Sequence, residues 1–89
     1  MIKKRLREDD TVATQELSLV AALLAWNFSL ISIDRTDFKK VTFFFSNTPE
    51  IQKAIQTFWD DTGIVSPKKY FYALREAKSR IYAEGWITK

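Results

Sequence analysis

The chain contains no cysteine and no histidine. Without thiols there are no disulfides, no thiolate nucleophile and no sulfur ligands for zinc, and without imidazole the usual neutral-pH general base is missing too. Stability must then come from hydrophobic packing, and the composition fits a reducing, intracellular setting. Glycine and proline are almost as scarce: Gly63, Gly85, Pro49 and Pro67 are all there is. That scarcity excludes a glycine-rich phosphate loop and leaves no low-complexity linker. Long apolar runs are lacking as well. The longest, Leu19 to Trp26, is far too short to cross a bilayer, and the N-terminal residues lack the apolar centre of a signal peptide. The expectation is a soluble, cytoplasmic protein with no membrane partner.

What is present is 89 residues, enough for one domain with one modest core. The net charge is only +3, but it is spread unevenly. From residue 66 onward Lys68, Lys69, Arg75, Lys78, Arg80 and Lys89 face only Glu76 and Glu84. Residues 1–10 alternate between a basic block, Lys3, Lys4, Arg5 and Arg7, and an acidic one, Glu8, Asp9 and Asp10, which reads as a flexible, solvated arm. The domain boundaries that follow are an arm at 1–10, a single compact unit at 11–84 and a tail at 85–89.

Within the compact unit the hydrophobic period switches from two to about 3.6 near Ser46. Val41, Phe43 and Phe45 alternate as in a strand, and Ile51, Ala54, Ile55 and Phe58 then recur as on one helix face. Before that switch, Thr11 to Ala13 is a candidate short strand, and Thr14 is placed to cap a helix from about Gln15 to Trp26. Asn27 suits a left-handed stop to that helix. Phe28 to Asp34 and Lys40 to Ser46 read as an antiparallel hairpin across a turn at Arg35 to Asp37. A second helix spans about Pro49 to Asp60, ended by Gly63. Ser66 and Pro67 open a third, which runs to about Ala83 before Gly85. The predicted class is α+β, a small antiparallel sheet packed against three helices in the order (β)αββαα.

Three segments resemble a small family from bacteria, archaea and phages that is known only as a domain of unknown function. Thr14-Gln15-Glu16-Leu17-Ser18-Leu19-Val20-Ala21-Ala22-Leu23-Leu24 is similar to that family's T-x-[DE]-L-x-L-A-A-x-L opening. The aromatic strand Val41-Thr42-Phe43-Phe44-Phe45 precedes a helix ending in Phe58-Trp59, as in the family. Ser66-Pro67-Lys68-Lys69-Tyr70-Phe71-Tyr72-Ala73-Leu74-Arg75, with Ile81-Tyr82, is similar to its P-x-x-Y-x-x-x-L helix. Val20 and Asn27 stand where the family usually has Ala and Gly, and both keep the physical role. The resemblance runs from about Thr11 to Tyr82. It implies the fold and an intracellular origin in a prokaryote or phage, and no activity or catalytic residue.

The first helix is apolar nearly all round: Leu17, Val20, Ala21 and Leu24 on one side, Leu19, Leu23 and Trp26 on the other. Either it is sandwiched inside the fold, or Leu19, Leu23 and Trp26 form a surface for a protein partner or a second copy. The hairpin poses the same choice. Phe28, Leu30, Val41, Phe43 and Phe45 point one way, Ile31, Ile33 and Phe44 the other, so Phe44 either packs, meets a partner, or stacks on a nucleobase.

The third helix holds the most function-like pattern. Tyr70, Ala73, Leu74, Ala77 and Ile81 make a core face, while Lys68, Tyr72, Arg75, Ser79 and Tyr82 share an outward stripe, joined by the cation Lys78. Cations and rings in one stripe can neutralise phosphates and stack on bases, and a solvated amphipathic helix also produces such stripes. Asp60 and Asp61 at one helix end, and Lys68 and Lys69 at the next helix start, each oppose the helix dipole. They either pair across the loop, or Lys68 and Lys69 hold a nucleic-acid phosphate.

Adjacent carboxylates at Asp9-Asp10 and Asp60-Asp61 lack the separation needed for acid/base catalysis or a metal cage. The sequence therefore points away from an enzyme and from any cofactor or metal. It points to a binding module whose partner is a nucleic acid or, alternatively, a protein or a second copy of the chain.

Overall fold

The computed structural model describes residues 10–37 and 39–82. Most of the proposed arm, the tail at 85–89, and the helix end expected at Ala83 and Gly85 lie outside those residues. Within them the order is β1 (Thr11–Thr14), α1 (Leu17–Ala25), β2 (Leu30–Asp34), β3 (Thr42–Ser46), α2 (Pro49–Trp59) and α3 (Pro67–Tyr82). This is the α+β arrangement expected, with the N-terminal strand present. β3 lies between β1 and β2 and is antiparallel to both.

The inner face of β3 explains why the sheet holds. Phe43 and Phe45 are completely covered, and Leu19, Val20 and Leu23 of α1 pack against them with Ile51 of α2 and Ala77 of α3. Burying a side chain of that size contributes about 2–3 kcal/mol. Phe45 stands between Val12 and Leu30, and Phe43 between Thr14 and Ile33, so each central ring is flanked on both neighbouring strands.

The hairpin departs from simple alternation at one point. Leu30 pairs with Phe45 but Ser32 pairs with Phe44, so Ile31 is an extra residue in β2. Such a bulge resets the period. Ile33, expected on the outer face, therefore joins the core. Ile31 is left half exposed outside. The connection to β3 is also longer than the predicted three-residue turn, because β3 begins at Thr42 rather than Lys40. Asp34 Oδ1 accepts hydrogen bonds from Thr36 Oγ1 at 2.6 Å and Thr36 N at 2.9 Å, and Asp37 accepts from Lys39 N at 3.0 Å. These side-chain turns stabilise a loop in place of a tight hairpin.

α1 starts two residues later than predicted. Thr14 ends β1, and its hydroxyl accepts from Glu16 N at 3.0 Å, while Glu16 takes the N-cap position without a capping bond to a backbone N–H, its carboxylate instead accepting from Ser18 Oγ at 3.2 Å. At the other end Asn27 is left-handed, φ 73°. Phe28 N donates to Leu23 O and Asn27 N to Leu24 O, each at 2.9 Å. This is the paired hydrogen-bond pattern of a left-handed helix terminus. α2 is capped by Thr48, whose hydroxyl accepts from Ile51 N at 3.1 Å, with Pro49 in the first turn. It ends with the same paired pattern, but on Asp61, φ 61°, not on the glycine expected to stop it. Gly63 has a different task, described below.

α1 lies in the middle of the molecule. One side meets the sheet, and Ala21 and Ala25 on the other meet Ala73 of α3. Small residues there let the two helix backbones approach closely. Tyr70 closes the edge of this contact, its hydroxyl donating to Ser18 O at 3.2 Å.

Candidate functional site

Burial of α1 disposes of one candidate surface. Leu19 is 4% exposed and Leu23 is fully covered. The side chains expected to face a partner are already occupied by the sheet and α2. Trp26 is only partly covered, and it is tied inward: its Nε1 donates to Ile64 O at 2.9 Å. The sandwiched reading of the helix is the one the structure shows.

Phe44 sits differently. Its register partners, Ala13 on β1 and Ser32 on β2, are small and exposed, and Phe44 stands outside the core clusters. The outer sheet face is thus open among the described residues, with Phe44 at its centre.

α3 positions the remaining candidates. Its core face, Ala73 and Ala77 with Tyr70, Leu74 and Ile81, docks on α1 and the sheet side. That docking turns Lys68, Tyr72, Arg75, Lys78, Ser79 and Tyr82 outward, all exposed. At 3.6 residues per turn, Lys68, Arg75 and Ser79 fall near the centre of the outer face, with Tyr72 on one side and Tyr82 and Lys78 on the other. Lys69 is exposed on the flank shared with Glu76 and Arg80.

A residue missing from the predicted stripe belongs to it. Phe71 is 55% exposed, as is Tyr72, and Tyr82 is 58% exposed. The Arg75 guanidinium lies over the Phe71 ring, 5.8 Å from its centroid, and the Phe71 and Tyr72 rings are 6.1 Å apart at 53°. The i, i+4 spacing of Phe71 and Arg75 carried that signal in the sequence.

Electrostatics on the two flanks of α3 differ. Arg80 pairs with Glu76 at 2.9 Å, and Arg35 reaches over from the β2–β3 loop to donate to Arg80 O at 2.8 Å. Together they line an open depression of about 500 Å³ between β2 and α3. Lys68, Arg75 and Lys78 have no acidic partner among the described residues. The expected pairing of Asp60 and Asp61 with Lys68 and Lys69 does not form: Asp60 instead accepts from Gln56 Nε2 at 3.0 Å, and Ser66 Oγ accepts from Lys69 N at 3.3 Å. Each helix end satisfies itself locally.

No helix among the described residues is long and apolar enough to cross a membrane. Residues 9–83 match the model of a family described as a domain of unknown function (DUF5659), nearly the span of the sequence resemblance, Thr11 to Tyr82. No match was found among curated proteins or solved structures.

Proposed function

Since the chain belongs to this family of unknown function, its surface has to carry the functional reading, and we propose that it is a non-enzymatic module that binds nucleic acid through the outer face of α3. The observation behind this is that Lys68, Arg75 and Lys78, none with an acidic partner among the described residues, share a face of α3 with the exposed rings of Phe71, Tyr72 and Tyr82. Unpaired cations release counterions when they meet phosphates, and that release drives association. The setting we propose is accessory work on nucleic acid for a phage or other mobile element, on the strength of the sequence resemblance alone.

The supporting experiment follows binding of labelled oligonucleotides by anisotropy at two salt concentrations. Micromolar binding that weakens steeply with salt, and is lost in the Lys68→Glu, Arg75→Glu, Lys78→Glu triple variant, supports the reading. All three side chains are exposed, so the variant is expected to fold. Unchanged binding by the triple variant contradicts it.

The competing reading, contact with a protein or a second copy, is favoured by a different observation, the half-buried Phe44 on the outer sheet face between the exposed Ala13 and Ser32, with Ile31 of the same strand as Ser32 half exposed. Apolar association of that kind does not weaken with salt. A salt-insensitive complex lost in Phe44→Glu selects it.

A further inference from the structure

We infer that the nucleic acid bound by α3 is single-stranded, with unstacked bases seated on Phe71 and Tyr72 while Lys68, Arg75 and Lys78 hold the phosphates; this rests on the binding face proposed above.

The exposed rings carry the inference. Phe71, Tyr72 and Tyr82 are each more than half exposed on one helix of 16 residues, although the core beside them is apolar and closely packed. Cations alone would serve a duplex, whose phosphates lie outside and whose base faces are hidden in the stack. Rings in that position gain nothing from a duplex. An extended single strand exposes both base faces and phosphates, and α3 offers rings (Phe71, Tyr72, Tyr82) interspersed with cations (Lys68, Arg75, Lys78) on one face.

The local geometry fits one base per ring rather than a continuous stack. Phe71 and Tyr72 are inclined at 53° and point from successive residues, so their faces are separate platforms. Arg75 lies over one side of the Phe71 ring, where the same guanidinium can reach the phosphate next to a base seated there. From Phe71 to Tyr82 the face extends about 16 Å along the helix axis, room for a few nucleotides. Stacking of this kind is tolerant of sequence, because every base has a π face.

The test compares a fluorescein-labelled single-stranded dT 15-mer with a duplex of the same length at one ionic strength, using wild type and the Phe71→Ala, Tyr72→Ala double variant. Circular dichroism of the variant verifies its fold, and both side chains are exposed enough to be removed without opening the core. The expected result is single-strand binding at least about tenfold tighter than duplex binding, with that preference abolished in the variant while duplex binding stays the same. Equal affinity for both oligonucleotides, or a preference untouched by the variant, overturns the single-strand inference and leaves the charge-based reading standing. Binding to neither oligonucleotide, including the case of binding only to vesicles rich in phosphatidylserine, overturns both.

Discussion

Gly63 lies against the indole of Trp26, so close that a Cβ at this position would come within 2.7 Å of Trp26 Cζ2, 2.8 Å of Cη2 and 3.0 Å of Thr57 Cγ2. The same indole donates to the carbonyl of the next residue, Ile64, at 2.9 Å. One side chain at the end of α1 thus fixes the loop that leads from α2 to α3, and with it the start of α3.

Gly63→Ala is expected to destabilise the protein by about 1–3 kcal/mol, since neither the indole nor the β-branched Thr57 can move aside without disturbing its own packing. Chemical denaturation followed by Trp fluorescence measures it. A neutral effect would show that the indole is free to move.

Asp61 takes a left-handed conformation at φ 61° in the terminus of α2, where its charge also opposes the helix dipole. Replacing it by glycine removes both costs, and Asp61→Gly is expected to stabilise by about 1 kcal/mol. Asn27→Gly at the matching position of α1 should gain less, because asparagine tolerates that conformation better. Thermal melts of the two variants give the comparison.

Thr48 caps α2 through the bond its hydroxyl accepts from Ile51 N. Thr48→Ala should cost about 1 kcal/mol, and Thr48→Ser little. The serine variant separates the lost hydrogen bond from the lost methyl group.

The carboxyl of Asp34 is held below the usual carboxylate range, first by the Thr36 hydroxyl and then by the Thr36 backbone N–H. A folded value below the unfolded one means that the charged form stabilises the fold above the unfolded pKa, and that this contribution disappears as pH falls through the folded value. Carbon-detected NMR titration should find the Asp34 pKa raised towards its ordinary value in Thr36→Val, with a smaller loss of turn structure on acidification. No change in the titration would mean that the hydroxyl contact is not maintained in solution.

The parts of the fold legible in the sequence are those set by local rules. Alternation at Val41, Phe43 and Phe45, the cap at Thr48, the stop at Asn27 and the core face of α3 each depend on neighbours within a turn or a strand. Simple alternation puts Ile33 on the wrong face because a bulge has no composition signal, and one inserted residue swaps every later side chain to the other face. Glycine favours helix stops, so Gly63 looks like one in the sequence, whereas its requirement comes from Trp26, far away in sequence. The candidate site divides in the same way. Periodicity brought Lys68, Tyr72, Arg75, Lys78, Ser79 and Tyr82 to one exposed face. Phe71 escaped because an apolar residue beside a core face looks like core until the depth of packing is seen. Leu19 and Leu23 failed as a partner surface because a helix apolar all round is ambiguous in sequence, and only the position of α1 between the sheet and α3 resolves it.

The central claim is that α3 presents the working surface, and it is tested most directly by titrating a single-stranded oligonucleotide into 15N-labelled protein and mapping the amide shifts. The account predicts that perturbations concentrate between Lys68 and Tyr82 and follow the outward positions, with Phe71, Tyr72 and Arg75 foremost. Perturbations centred on Ile31 and Phe44 of the outer sheet face, or the absence of any, would contradict it.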